Sequence, residues 1–213
     1  MMQSTEPNIP APRTHSTRES NAVVTRIRPA READAIAALT LAFSTDPANR
    51  WCWPVASEFL AAFPAFVRAL GGHAFAVQSA FEIADGAGIA LWLPPGIEPD
   101  ETELESVIQR TVHGSKREAL YAIIEQMSGC HPTVSHWYLP FVGVEPMHQG
   151  CGLGAVLLQR VLKLCDAERL PAYLESTNAR NIPFYERLGF RSVGRIQAGT
   201  SPVIVPMVRE PQL

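Results

Sequence analysis

A glycine-rich turn between a predicted strand and a predicted helix is the part of the sequence best suited to chemistry. It reads Gln149-Gly150-Cys151-Gly152-Leu153-Gly154-Ala155. Small residues let the phosphates of a ligand approach the backbone closely, and the free N–H groups at the start of a helix attract anions. The turn therefore predicts a phosphate site; the alternative is a glycine-rich helix start that holds no ligand.

Two common phosphate motifs fit this turn poorly. A Walker P-loop is excluded because Gly-Lys-Ser/Thr does not follow the turn. A dinucleotide fingerprint fits Gly150, Gly152 and Ala155, with Glu175 near the position of a ribose-binding acid. Residues 145–149, however, separate the strand from the first glycine, where that fingerprint has a tight turn. The chain after Glu175 also predicts hairpin strands rather than further βαβ units, so a dinucleotide site remains the weaker alternative.

Two ordered motifs in the second half of the chain resemble a known family. Residues 142–154 (VGVEPMHQGCGLG) resemble the central signature of the GNAT N-acetyltransferase superfamily, which is an apolar strand, V-x-P and Q/R-x-x-G-x-G/A. Leu174-Glu175-Ser176 and residues 181–190 (NIPFYERLGF) resemble its second block, N-x-x-x-Y-x-x-x-G-F. The resemblance is strong over residues 136–192 and is closest in motif to puromycin N-acetyltransferase-like members. The N-terminal half matches them in layout alone.

This resemblance implies a fold and a cosubstrate. The fold is a mixed α/β (α+β) one: a twisted, mostly antiparallel sheet flanked by helices, with a V-shaped opening between the strands at 136–144 and 172–175. The cosubstrate is acetyl-CoA, with its pantetheine arm along 142–144, a backbone N–H near Val144 on the thioester oxygen and the pyrophosphate on N–H groups of 150–155. The implied cofactor-binding residues are Val142, Gly143, Val144, Gln149, Gly150, Cys151, Gly152, Leu153, Gly154, Ala155 and Asn181.

Two further residues receive catalytic roles in this interpretation. Tyr185 would protonate the leaving thiolate, because an ordinary tyrosine keeps its proton at neutral pH. Without the motif, Tyr185 would be a core aromatic residue beside Phe184. Glu175 could accept the proton of the amine, directly or through water; the alternative is a strand-end carboxylate paired with an arginine such as Arg180.

Cysteine and histidine usage predicts no metal site. The four cysteines form no C-x-x-C pair, and the six histidines show no metal-ligand spacing, so we expect the histidines to be structural or at the surface. Cys151 stands where many family members have Lys or Arg. It could be a reactive thiol, since a helix start lowers the pKa of a thiol, or a small residue tolerated beside the cofactor.

Composition limits the class of protein. The chain has 213 residues and a net charge of −3, which argues against a nucleic-acid-binding protein with a basic surface. The four cysteines are too few and too scattered for a disulfide framework, which indicates a reducing cytosol, and no run is apolar enough for a membrane span. We expect a cytoplasmic protein without membrane or nucleic-acid partners, either a monomer or a homodimer. The predicted function is direct transfer of an acetyl group from acetyl-CoA to a primary amine of a small molecule. A catalytically silent acyl-CoA-binding module is the alternative.

The remaining pattern predicts a disordered, Pro-rich tail over residues 1–21 and a single domain over 22–213. Pro64 suggests a kink or a break in its helix. The expected strands are 23–28, 74–84, 88–93, 136–144, 172–175, 190–197 and 203–208. The expected helices are 31–43, 57–70, two stretches within 100–129, 152–168 and 181–188, with a loop at 46–56.

Overall fold

Seven strands form one sheet in this structure, a computed structural model that describes residues 23–212. The tail predicted over residues 1–21 lies outside the described residues. The strands are β1 Thr25–Arg26, β2 Ala80–Ile83, β3 Gly88–Leu93, β4 Trp137–Val144, β5 Ala172–Ser176, β6 Arg191–Ser192 and β7 Val205–Arg209. Their order is β1-β2-β3-β4-β5-β7-β6, and every neighbouring pair is antiparallel except β4 and β5. The mostly antiparallel mixed sheet predicted from the resemblance is therefore confirmed.

Helices cover both faces of the sheet. They are α1 Glu32–Ala42, α2 Pro47–Cys52, α3 Ala56–Gly71, α4 His73–Ala76, α5 Glu101–Thr111, α6 Gly114–Cys130, α7 Leu153–Glu168 and α8 Ile182–Arg187. One core joins α1, α3 and α5 to the sheet and includes Tyr138 and Tyr173; we call this side the α1 face. The other core joins α7 and α8 to Leu139 and Leu174, and we call this side the α7 face.

A bulge in β4 reverses which of its side chains face each core. Leu91 pairs with Phe141 but Leu93 pairs with Tyr138, so β4 has one more residue than β3 in this interval. Pro140 lies inside the bulge and has no N–H to give to the ladder. As a result Tyr138 and Phe141 both point to the α1 face, although they are three residues apart.

The parallel strands β4 and β5 are paired at one end alone. Trp137 pairs with Ala172 and Tyr138 with Tyr173, and within the described residues no further pair follows. The bulge lies just after this last pair, so β4 leaves β5 where its own ladder is interrupted. The two strands then enclose the V-shaped opening that the resemblance predicted.

Four predicted elements differ from the structure. The predicted loop at 46–56 contains α2, which Asp46 caps through bonds from the N–H groups of Ala48 and Asn49. The predicted strand at 74–84 is shortened by α4 and begins only at Ala80. The strands predicted at 23–28 and 190–197 keep two residues each, β1 and β6.

Pro64 does not break its helix. Helix α3 is continuous over Ala56–Gly71 with the proline inside it. A proline leaves the carbonyl four residues earlier without its helical donor, here that of Leu60. Leu60 is exposed, so this carbonyl lies on the side of the helix that water can reach.

Candidate active site

A cleft of about 720 Å³ lies at the opening between β4 and β5. Its walls come from the end of α1, the second half of β4, the glycine-rich turn and the start of α8. Eleven of the predicted site residues line it: Val142, Gly143, Val144, Gln149, Gly150, Gly152, Leu153, Gly154, Ala155, Asn181 and Tyr185. Cys151 and Glu175 do not line it.

The glycine-rich turn offers a row of main-chain donors to the cleft. Gly150 and Gly152 have φ of 78° and 80°, which a residue with a side chain rarely adopts. Within residues 23–212, the N–H groups of residues 150–154 have no hydrogen-bond acceptor. The N–H of Ala155, predicted to be free as well, donates to the carbonyl of Gly152 at 3.0 Å. The turn therefore suits an anion at the start of α7.

The side chain of Gln149 fixes this turn to the end of β4. Its Nε2 donates to the carbonyl of Val144 at 2.9 Å. The next N–H, of Glu145, donates to the carbonyl of Ala87, just before β3 and on the opposite side of β4. The N–H and C=O of one residue in a strand point the same way, so the N–H of Val144 faces the cleft. A donor thus stands at the position predicted for the thioester oxygen.

Two predicted glycines are in close contact with neighbouring elements. A Cβ at Gly143 would meet the Cβ of Ala42 at 2.7 Å, so this glycine lets α1 lie directly on β4. A Cβ at Gly154 would lie 3.3 Å from the ring of Phe184, where α7 and α8 approach each other. Gly143 therefore has a packing role that the sequence did not indicate.

Asn181 and Tyr185 lie one helical turn apart at the start of α8. Asn181 precedes the helix, yet its side chain makes no capping bond, whereas the side chain of Asn178 accepts from the N–H of Arg180. Tyr185 is buried against Phe184 and Phe190. Burial raises the pKa of the Tyr185 phenol, and the nearby charge of Asp46 raises it further, so this phenol keeps its proton throughout the physiological range.

Asp46 is the carboxylate that borders the cleft, and sequence reasoning did not select it. Its Oδ1 accepts from the two N–H groups that begin α2 and from the side chain of Asn49 at 2.8 Å. Its Oδ2 accepts from the hydroxyl of Thr177 at 2.6 Å, which ties α2 to the end of β5. The signal available in the sequence was Asp46-Pro47, a common start of a helix.

Glu175 lies on the other side of the sheet from Tyr185. It alternates with Leu174 along β5 and therefore shares the α1 face with Tyr173. Its side chain is 3% exposed, and its Oε1 is 3.4 Å from Nε2 of His131. This differs from the predicted alternative, in which Glu175 pairs with an arginine such as Arg180.

Metal-ligand clusters and membrane-spanning helices are both absent from residues 23–212. Those residues contain no group of three or more His, Cys, Asp or Glu that could hold a metal ion. They also contain no helix with the length and apolarity needed to cross a membrane. Cys151 is exposed, and its thiol lies 3.8 Å from the carbonyl of Gln149 in its own turn.

Comparison with known proteins agrees with this geometry. Residues 117–190 match the model of the acetyltransferase (GNAT) family. An uncharacterized N-acetyltransferase of Schizosaccharomyces pombe is 33% identical over 146 residues, which are 62% of this chain and 59% of that relative. The alignment thus spans less than two thirds of the relative's length.

Two solved structures have the same fold. One is described as histone acetyltransferase HPA2 and related acetyltransferase, from Corynebacterium glutamicum. It is 23% identical to this chain with a TM-score of 0.61, and the alignment covers 90% of this chain and 97% of that chain. The other is arylalkylamine N-acetyltransferase 2 from Aedes aegypti. It is 13% identical to this chain with a TM-score of 0.63, and the alignment covers 91% of this chain and 100% of that chain.

Proposed function

We propose that the chain is an acetyltransferase of the GNAT family that transfers the acetyl group of acetyl-CoA directly to a primary amine of a small molecule. One observation carries the proposal. A single cleft has free N–H groups of residues 150–154 in one wall, the N–H of Val144 in another, and Tyr185 in a third. An acyl donor with a phosphate group and a thioester needs these three kinds of group.

The residues present fit the cosubstrate. The positive φ of Gly150 and Gly152 turns their N–H groups outward, and no atom lies within 4 Å of a Cβ built at either position. These amides would bind the pyrophosphate, and the side chain of Asn181 would bind the pantetheine arm. The N–H of Val144 would donate to the thioester oxygen, which gains negative charge during acyl transfer. Bound acetyl-CoA supplies an activated acetyl group with a thiolate as leaving group.

Proton transfers are assigned to residues on the two sides of the sheet. The phenol of Tyr185 would give its proton to the departing sulfur; its raised pKa keeps the donor form populated. Glu175 would accept a proton from the amine, through a water because its carboxyl group is buried. Asp46, in the wall of the cleft, would attract the ammonium form of the acceptor.

The proposal also covers the class of acceptor, the cellular location and the oligomeric state. A small-molecule amine is supported by the arylalkylamine in the name of one structural neighbour and by a cleft of this size. The motif likeness to puromycin N-acetyltransferase-like members supports the same class. We place the reaction in the cytoplasm, in a monomer or homodimer whose single domain spans residues 22–213.

Release of free thiol from acetyl-CoA, measured over a panel of amines, tests this function. The panel contains 2-phenylethylamine, a polyamine, puromycin and leucinamide, and mass spectrometry must find a product 42 Da heavier than the amine, the mass that an acetyl group adds. Acetyl-CoA binding without turnover on any amine would instead identify a silent acyl-CoA-binding module. Absence of acetyl-CoA binding by calorimetry would overturn the assignment of the glycine-rich turn.

A further inference from the structure

A cluster of ionisable side chains surrounds Glu175 on the α1 face. The ring of His131 lies 4.3 Å from that of Tyr173 and 4.9 Å from that of Tyr138, centre to centre. The hydroxyl of Tyr173 and Oε1 of Glu175 are buried and make no hydrogen bond. Burial raises the pKa of both tyrosines, and the charge of Glu175 raises it further. Cys130 and Glu98 are the other ionisable groups that act on this cluster.

The cluster lies where β4 and β5 begin to separate. Tyr138 and Tyr173 form the last pair before β4 and β5 separate, and Glu175 is two residues further along β5. Tyr185 belongs to the opposite core, on the α7 face. Glu175 and Tyr185 therefore approach the opening from opposite faces of the sheet.

A line of hydrogen-bonding nitrogens leads from Glu175 towards solvent. Nε2 of His131 faces Glu175 at 3.4 Å, and Nδ1 of His131 lies 3.1 Å from Nε2 of His136. Nδ1 of His136 lies 2.9 Å from the carbonyl of Val134, which is exposed. Side-chain exposure rises from 3% at Glu175 to 28% at His131.

The carbonyl at the outer end fixes the proton positions along this line. A carbonyl only accepts, so His136 donates from Nδ1, and in its neutral form its Nε2 is an acceptor. His131 then donates from Nδ1 to His136, which leaves its Nε2 free to take a proton from the carboxyl of Glu175. The two histidines are thus oriented to pass one proton outward once it crosses the 3.4 Å between Glu175 and His131.

Resting on the proposed function, we propose that Glu175, His131 and His136 form a proton relay that removes the proton released by the acceptor amine. An acceptor enters as an ammonium ion with three N–H protons. One stays on the amide nitrogen, and one replaces the proton that Tyr185 gives to the sulfur as the C–N bond forms and the C–S bond breaks. The third passes through a water to Glu175, then to Nε2 of His131, and from Nδ1 of His131 to Nε2 of His136. A solvent water then takes the Nδ1 proton of His136 beside the exposed Val134.

The basicity of the acceptor provides the test. The relay matters most for an ammonium ion that loses its proton to water with difficulty, such as that of 2-phenylethylamine with a lysine-like pKa of about 10.4. It matters less for leucinamide, whose α-ammonium has a pKa of about 8 and loses its proton more readily. His131→Gln should lower kcat about tenfold at pH 7 for 2-phenylethylamine, less than the about 10²-fold typical of a lost general base. The loss should be clearly smaller for leucinamide, and the KM for acetyl-CoA should stay within about twofold of wild type.

Matched variants separate the relay from a packing effect. His113 and His131 flank the same helix, α6, so His113→Gln is the control and should leave both rates unchanged. In His131→Ala, added imidazole should restore part of the rate, because it can fill the space and carry the proton. His136→Gln gives the same selective loss and replaces His131→Gln if that variant does not fold.

Each outcome has one meaning. Selective loss on the more basic amine with imidazole rescue supports the relay. Equal losses on both amines, or no loss, with active wild-type protein overturn the relay and leave the proposed function intact. Wild-type protein that acetylates neither amine overturns the proposed function for these substrates, and the relay with it.

Discussion

On the α7 face of the sheet the candidate site consists mainly of main-chain groups, with Asn181 and Tyr185 as its side chains, whereas on the α1 face it consists of side chains. The turn before α7 presents N–H groups of residues 150–154, held by two glycines with positive φ. The α1 face instead presents carboxylates and imidazoles, chiefly Asp46, Glu175 and His131. The two halves meet at the split between β4 and β5.

This difference teaches which changes each half can tolerate. A main-chain site depends on φ angles and on space, so an exposed side chain within it can change without loss. A side-chain site depends on the identity of every member, so one substitution can alter the acceptor or the proton path while the fold persists. We expect the cosubstrate half, on the α7 face, to tolerate replacement of side chains that point into solvent. We expect the acceptor half, on the α1 face, to be sensitive to replacement of side chains that point into the cleft.

The largest effect should come from Tyr185→Phe, because Tyr185 is the one side chain of the α7 face to which we assign a chemical step. It removes the proton but keeps the ring between Phe184 and Phe190. We expect kcat to fall about 10²–10⁴-fold, with acetyl-CoA affinity nearly unchanged. Steady-state kinetics and calorimetry measure the two quantities.

Tyr121→Phe is the control for this experiment, since its hydroxyl bonds Glu105 at the surface. A Tyr185→Phe enzyme within about threefold of the wild-type kcat would demote Tyr185 to a packing residue. Loss of acetyl-CoA affinity instead would make it a binding residue.

Gly143→Ala should have the next largest effect, on stability rather than on chemistry. The new methyl group would stand 2.7 Å from the Cβ of Ala42, so α1 must shift away from β4. Overpacking of this kind costs about 1–3 kcal/mol of the free energy of unfolding, which urea denaturation measures. Gly114→Ala, where nothing lies within 4 Å, should not destabilise the protein. Equal stability of the two variants would contradict a packing role for Gly143.

Gly154→Val should weaken acetyl-CoA binding at least about tenfold, or about 1.4 kcal/mol. From the start of α7, the valine side chain would press on Phe184 of α8 and narrow the cleft. Calorimetry on folded protein measures the affinity. Gly114→Val, also at the start of a helix but away from the cleft, is the matched control. Unchanged affinity in Gly154→Val would mean that the phosphates bind elsewhere.

The smallest effect should come from Cys151→Ala. Its thiol is exposed and does not line the cleft, and the substitution preserves the backbone N–H. Acetyl-CoA affinity should stay within about twofold of wild type, a change of at most about 0.4 kcal/mol. A larger loss would show that the side chain contributes, against the idea of a main-chain site.

The cosubstrate half could be predicted from sequence because its parts are contiguous. Residues 149–155 and 181–185 are each a short contiguous segment, and the resemblance rests on motifs within them, so it points to residues that line one cleft. The packing role of Gly143 could not be predicted, because Ala42 lies a hundred positions away in the chain and is brought there by the tertiary fold.

The acceptor half depends almost entirely on long-range contacts. Asp46 meets Thr177 across 131 positions, and His131 meets Glu175 only because α6 ends beside β5. The six histidines show no spacing that links any of them to a carboxylate. In this half, the sequence predicted the helices and strands apart from α2 and α4, but it did not predict which side chains are in contact.

The bond from Gln149 to Val144 ties the glycine-rich turn to the end of β4. The N–H of Val144 and the N–H groups of the turn are then held at a fixed separation. An acyl donor can bind both only if the distance between its thioester and its phosphates matches that separation. Truncated acyl donors such as acetyl phosphate or a simple acetyl thioester would bind one of these two groups of donors but not both. One glutamine amide thereby ties the choice of acyl donor to molecular length.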